Sequence, residues 1–212
     1  MTEVVSIDED GANAARWALE ECIWEGGVAI FPADTVYGLA CDPLSERAVA
    51  RIDGLKGRDA GKSSAVMYFS PGAARELLAG LGPRSREAVG ALLPGPVTLV
   101  LANPERRYPL ACRENPERLG IRLIEGPLAG MPLPVLQTSA NPSGYPAPSA
   151  FDQVDSEILE GADLTIDGGE LGGQPSTVVD LSAIDDGGEW RLLREGALTR
   201  AELKRRLDQA AA

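Results

Sequence analysis

An α/β fold is predicted by three observations on the 212-residue sequence. Short β-rich apolar runs alternate with stretches of helical periodicity, glycine and proline punctuate the turns between them, and no segment repeats another. A hydrophobic content of 44% over this length can bury a sizeable core, so a single domain spanning 1–212 is expected. The first helix is placed over 11–25, where Ala15, Trp17, Ala18, Cys22 and Ile23 follow a mostly helical spacing that Gly26-Gly27 ends. Residues 28–31 read as a buried strand, and Pro32 to Ala40 as a loop. Ser45 can cap a second helix with Val49, Ile52 and Leu55 on one face. There follow a strand over 64–69, helices over 71–79 and 83–92, and strands over 97–101 and 135–138. A helix over 150–160, preceded by Ser149, and a strand over 177–181 come next. Thr199-Arg200-Ala201-Glu202 forms a capping box that opens a terminal helix.

Charge and composition exclude several classes of function. With 20 basic against 32 acidic residues, the chain carries a net charge of −12, which argues against non-specific binding to duplex DNA or an anionic membrane. No apolar run approaches the roughly 18 residues of a membrane span, and the acidic N-terminus lacks a signal-peptide core, so a soluble cytoplasmic protein is expected. Cys22, Cys41 and Cys112 are odd in number and widely spaced, so they read as reduced packing residues. The absence of histidine removes Ser-His-Asp and Cys-His nucleophilic triads and imidazole acid–base chemistry.

Against this acidic background, Lys56-Gly57-Arg58-Asp59-Ala60-Gly61-Lys62 packs three cations into seven residues. It reads either as an anion pocket, its glycines letting backbone N–H groups approach a phosphate, or as a solvated loop after a helix. Asp34, Thr35 and Tyr37 cluster after the first buried strand, as ligand contacts or as the local hydrogen bonds of a turn. At the expected end of a later strand, Thr138-Ser139-Ala140-Asn141 gathers two hydroxyls and an amide at the usual ligand edge of an α/β sheet. The glycine-rich stretch from Gly168 to Gly173 reads as surface turns or as a mobile flap. Neither a Walker A loop nor a Gly-x-Gly-x-x-Gly loop is present.

Seven segments, in order, carry a family resemblance: Asp34 to Leu39, Lys56-Gly57-Arg58 with Lys62, Pro94 to Leu99, Gly120-Ile121-Arg122, Thr138 to Gly144, Ser176 to Asp180 and Leu193 to Ala197. Together they resemble the YrdC/TsaC family of threonylcarbamoyl-AMP synthases over about residues 10–200. The resemblance implies a twisted mixed sheet with flanking helices around a large concave cavity. It implies a nucleotidyltransferase that joins L-threonine, bicarbonate and ATP into L-threonylcarbamoyladenylate, releasing pyrophosphate. The product feeds the N6-threonylcarbamoyl modification of adenosine 37 in tRNA, through downstream tRNA threonylcarbamoyl-transferase proteins and with tRNA contact as a further implication.

The resemblance also assigns residues. Lys56 and Arg58 stabilise charge in the reaction and, with Lys62, Arg194, Asn141 and Ser149, hold ATP; Arg118 either reaches a phosphate or stays a solvated cation. Arg122 pairs with the threonine carboxylate, and Thr35, Ser139 and Ser176 contact threonine. Mg²⁺ is expected to arrive on the phosphates, without protein ligands. The chain departs from its relatives in two places. Ser63-Ser64 follows Lys62 where relatives have Pro-Leu, and Met67 stands in the threonine pocket where some relatives carry histidine. The chain is expected to lack the extra C-terminal domain of longer relatives, so that a closing element would come from a loop or the terminal helix. The alternative class is an RNA-binding module of the same fold, for tRNA or double-stranded RNA. Low net basicity and 5% aromatics count against it. A carbamoyl-transfer enzyme of hydrogenase maturation would need Cys-x-x-Cys pairs and extra length.

Overall fold

The computed structural model describes residues 2–57 and 61–210. In chain order the elements are β1 (Glu3–Ser6), α1 (Ile7–Asp10), α2 (Ala12–Trp24), β2 (Ala29–Pro32), β3 (Tyr37–Cys41), α3 (Glu46–Lys56), β4 (Ala65–Tyr68), α4 (Arg75–Ala79), α5 (Pro83–Leu92) and β5 (Val97–Ala102). They continue with α6 (Pro109–Cys112), β6 (Arg118–Leu123), β7 (Val135–Ser139), a 3₁₀ turn at Phe151–Gln153, α7 (Ser156–Gly161), β8 (Leu164–Asp167), β9 (Thr177–Asp180), β10 (Arg191–Arg194) and α8 (Arg200–Ala210). The strands form one twisted mixed sheet in the order β1-β8-β2-β3-β7-β4-β6-β5-β9-β10.

Strand alternation sorts the sheet into two faces. One face turns Ile30, Leu39, Leu136, Val66, Ile121, Leu99 and Val179 into the larger core, under α3, α5, α7 and α8. The other face is divided. Over β1, β8 and β2 it packs against α2 through Ala15, Leu19 and Ile23, with Ala29, Phe31, Leu164 and Ile166 opposite. Across the register from Ala29, through Ala40, Gln137, Ala65, Gly120 and Val100, the same face continues beyond the helix. There no helix covers it, and a cavity forms.

Several elements stand as the sequence predicts. α2 ends before Gly26-Gly27, α5 occupies Pro83–Leu92, and the Ser45 hydroxyl accepts the Ala48 N–H at 3.3 Å to cap α3. The segment expected as a loop over 32–40 is corrected. Tyr37–Cys41 is strand β3, paired antiparallel to both β2 and β7 and fully buried, so its backbone groups are satisfied by neighbours on either side. The helix expected over 150–160 is split, because Val154 adopts an extended conformation (φ −70°, ψ 132°) and Asp155 recaps α7 through the Glu157 N–H. The capping box of α8 is half formed: Thr199 Oγ1 accepts the Glu202 N–H at 3.3 Å, while the Glu202 carboxylate turns to Arg205 and Arg206. The glycine-rich stretch after β8 is tied down. The Tyr37 hydroxyl donates to Gly169 O at 2.8 Å and accepts the Gly168 N–H, while Gly173 N donates to Thr35 O and Leu171 N to Ser149 O. All three cysteines are free thiols, and no helix among the described residues is long and apolar enough to cross a membrane.

Candidate functional site

The uncovered part of the sheet forms the floor of a cavity of about 710 Å³. Thr98, Val100, Gly120, Arg122, Gln137, Ser139 and Val178 all belong to the face that α2 leaves open. The β2–β3 turn contributes Thr35, and the segment after β7 supplies Asn141, Tyr145, Pro146 and Ala147 as one wall. Ser176 and Arg194, at the β9–β10 edge, close the opposite side. Among the described residues the lining holds three arginines and no carboxylate, in a chain of net charge −12. Such a cavity selects an anion.

Arg122 lies at its centre and is only 3% exposed. One Nη donates to Gln137 Oε1 at 3.4 Å, and the other reaches Ala33 O at 3.3 Å and forms a short ion pair with Asp34. Its Nε has no partner. Burial lowers the guanidinium from its ordinary range and raises the Asp34 carboxyl from its own; in each case the partner charge opposes the shift. Asp34 holds a left-handed backbone at φ 64°, which short polar side chains tolerate best. That conformation turns the chain so that Thr35 enters the cavity wall. The Thr35 hydroxyl is buried beside the Asp34 carboxyl, which it helps to hold down, and has no partner at full hydrogen-bond geometry; Asn141 Oδ1 is buried without a partner. Buried polar atoms are nearly always paired; of five such atoms without a partner among the described residues, three lie on this cavity and two elsewhere, so the cavity concentrates groups that a ligand or water can satisfy.

The remaining walls are hydrogen-bonded to one another. Ser176 Oγ bonds to Thr98 Oγ1 at 3.0 Å, and Arg194 clamps Ser176 from above, donating to its carbonyl at 2.8 and 3.2 Å. Burial, then the neighbouring Arg122, lowers the Arg194 guanidinium. Arginine keeps its charge through such shifts, so two like charges share the cavity until an anion separates them. Gly38 faces Ser139 across the β3–β7 ladder. A Cβ there would stand 2.8 Å from Gln137 Nε2 and 3.2 Å from Thr138 O, so only glycine lets β3 approach so closely.

The other residues singled out in the sequence are placed differently. Lys56 is not an exposed pocket cation. It is 5% exposed, and its ammonium donates to Ser139 O at 2.5 Å and Asn141 O at 2.6 Å, while its own carbonyl accepts the Ser143 N–H at 2.7 Å. It lines a second depression of about 650 Å³ on the far side of the 140–148 wall. The left-handed Gly57 (φ 54°) ends α3 there, and this cap, with the pull of two carbonyls, draws the last helical side chain inward. Arg58 lies outside the described residues. Lys62 is exposed and stands outside the cavity lining, although Ser63 and Ser64 belong to it. Met67 is corrected from pocket to core: it is 0% exposed and packs with Phe31, Phe69 and Val135 in the cluster beneath α2. Ser149 is likewise outside the lining, and its hydroxyl donates to Gln153 Oε1 at 3.1 Å. Arg118 lines the rim, half exposed, 3.4 Å from Asp180. Sequence reasoning missed Thr98 and Gln137 as site residues. Each is a polar residue within an otherwise apolar run, and that break in pattern was their signal.

A family model described as "Telomere recombination", the Sua5/YciO/YrdC family, matches residues 21–196. The threonylcarbamoyl-AMP synthase of Pyrococcus abyssi is 34% identical over 220 residues, covering 97% of this chain and 61% of that protein. The threonylcarbamoyl-AMP synthase of Methylobacillus flagellatus is 33% identical over 174 residues, covering 77% of this chain and 93% of that protein. Among solved structures, P. abyssi Sua5 complexed with L-threonine superposes with a TM-score of 0.82 at 30% identity, over 97% of this chain and 60% of that one.

Proposed function

The chain belongs to the Sua5/YciO/YrdC family, and from that premise we propose that it is an L-threonylcarbamoyladenylate synthase, a nucleotidyltransferase serving the N6-threonylcarbamoyl modification of tRNA. The observation that carries this reading is a cavity whose described lining has no carboxylate and into which the buried Arg122 Nε and Asn141 Oδ1 bring unpartnered polar atoms beside the Thr35 hydroxyl. Arg122 Nε is a donor suited to the threonine carboxylate, with Arg194 adding charge at the same wall. Thr35, Ser139 and Ser176 place hydroxyls around the amino acid's polar groups. Asn141 spends its Nδ2 on Pro142 O and Tyr145 O, which fixes the amide and leaves Oδ1 as an acceptor. It therefore suits a ribose hydroxyl or base amine of the nucleotide, not a phosphate.

In this mechanism the threonine amine adds to the carbon of bicarbonate, from which water departs, or to CO₂ with loss of a proton from nitrogen to solvent, giving a carbamate. A carbamate oxygen attacks the α-phosphorus of ATP, the bond to the β-phosphate oxygen breaks, and pyrophosphate leaves. The chain contributes positioning and charge neutralisation, consistent with its lack of histidine. Mg²⁺ enters as the companion of ATP; the described lining offers it no carboxylate, so phosphate oxygens and water would be its ligands. The test is to supply purified protein with Mg-ATP, L-threonine and bicarbonate, and to score pyrophosphate and the adenylate by mass. Pyrophosphate release that is indifferent to threonine sinks the assignment.

A further inference from the structure

Helix α2 presents two unlike faces. Its inner row, Ala15, Leu19 and Ile23, is buried on the sheet. Its outer row, Ala14, Trp17, Glu21 and Trp24, follows the same helical spacing into solvent, and the two tryptophans are 75% and 79% exposed. They stand seven residues apart, about two turns or ~10 Å along one face. An indole can cover about 150–250 Å² and is enriched at the centres of interfaces.

At the C-terminal end of this face lies a depression of about 600 Å³, lined by Glu3, Glu21, Glu25 and Asp163 against Arg47 and Arg51. Arg51 is already committed to Asp163, with contacts at 2.7 and 3.0 Å. Arg16, the one cation on the helix, donates to Ala129 O and Asn13 Oδ1. Glu3, Glu21 and Glu25 take part in no ion pair among the described residues. The Cys22 thiol beneath is pushed up to about 12 by burial and then by Asp163, with Glu25 and Glu3 adding to the effect against Arg51. Four carboxylates against two arginines leave the depression with a net negative charge.

We propose that the outer face of α2 and its acidic depression form a docking surface for a basic segment of a partner protein. Arginine side chains of that segment stack on Trp17 and Trp24 and enter the depression between Glu21, Glu25 and Glu3. A second copy of this chain is the wrong occupant, since pairing α2 with itself sets Glu21 and Glu25 against their own copies in a protein of net charge −12. An anionic lipid surface is repelled for the same reason. Because α2 covers one half of the sheet face whose other half floors the cavity, the partner would sit on the cavity's side of the molecule.

The test titrates the full chain, at physiological ionic strength, with a short synthetic peptide of repeated Arg-Leu-Pro-Arg units. Tryptophan emission and calorimetry are read, and a Glu-for-Arg peptide serves as control. The wild type should bind saturably with a shift in emission, and the control peptide should not bind. Trp17→Ala/Trp24→Ala and, separately, Glu21→Gln/Glu25→Gln should each weaken binding about tenfold, the loss of a cation–π or ion-pair contribution near 1.4 kcal/mol. Glu87→Gln/Asp186→Asn, which removes two carboxylates elsewhere, should bind like the wild type. The proposal is overturned if both α2 variants bind like the wild type, or if the peptide does not bind at all. It is also overturned if sedimentation without peptide shows a dimer that the tryptophan variant abolishes. Adenylate synthesis by these variants reads the proposed activity separately.

Discussion

Replacing Lys56 with methionine separates two roles for this residue. The side chain keeps its length and loses the ammonium that bridges Ser139 O and Asn141 O. Two carbonyls in a nearly closed site are then left short of a donor, at roughly 1–3 kcal/mol each. The relief from no longer burying a charge, and entry of water, offset part of this, so a net loss of about 2–4 kcal/mol is expected. For a chain of this size that lowers the melting temperature by roughly 4–16 °C. Calorimetry measures it directly, and the unfolding should stay cooperative. Because the same carbonyls anchor the segment holding Ser139 and Asn141, affinity for both threonine and ATP should fall together. If Lys56→Met melts like the wild type and loses ATP affinity alone, the reasoning fails and Lys56 is a phosphate ligand after all.

Three further outcomes follow from the same geometry. Thr35→Val removes a buried hydroxyl that has no partner at full hydrogen-bond geometry in the empty protein, so the melting temperature should hold or rise slightly. The Kd for threonine by calorimetry should weaken by roughly 2–13-fold, the 0.5–1.5 kcal/mol of one neutral hydrogen bond. Met67→Leu conserves volume in the core, so it should cost less than about 1.5 kcal/mol by denaturant titration and leave the KM for threonine unchanged. A rise in that KM returns Met67 to the pocket. Asp180 is buried, which alone would raise its carboxyl, but the Ser182 hydroxyl and N–H and the Arg191 guanidinium outweigh this and hold it below its ordinary 3.8. A depressed carboxyl contributes stability that is present above the ordinary value and lost as pH falls through the folded one. Asp180→Asn should therefore be less stable than the wild type at pH 7, by about 1.5–3 kcal/mol. The gap should narrow below pH 3.8, and a gap independent of pH between 7 and 2 contradicts the assignment.

Much of the fold was legible because its signals are local. The Gly26-Gly27 stop, the Ser45 cap and the apolar runs at 97–101 and 177–181 act within a few residues of themselves. Strand β3 was not legible: Tyr37-Gly38-Leu39-Ala40-Cys41 lacks polar–apolar alternation, because both of its faces are buried between neighbours distant in sequence. The edge strands β1 and β10 are short and half exposed, which erased their pattern as well.

The candidate site divides along the same line. The residue chemistry of this acidic, histidine-free chain points to an anion site, and the family resemblance carried by segments in order along the chain names Arg122, Thr35, Ser139, Ser176 and Arg194 as its candidates. Which of those groups share a cavity depends on strand register and on how far α2 reaches across the sheet. Those quantities are set by packing between residues far apart in the chain, as in the pairing of Gly38 with Ser139 and of Ala29 with Leu164. Only the tertiary structure could turn Lys56 from a cation facing a phosphate into a buried brace beneath Ser139 and Asn141, since a buried ammonium goes wherever carbonyls can satisfy it. The same packing placed Met67 in the core: it stands directly opposite Arg122 in the β4–β6 register and on the same face, but Phe31, Phe69 and Val135 enclose it.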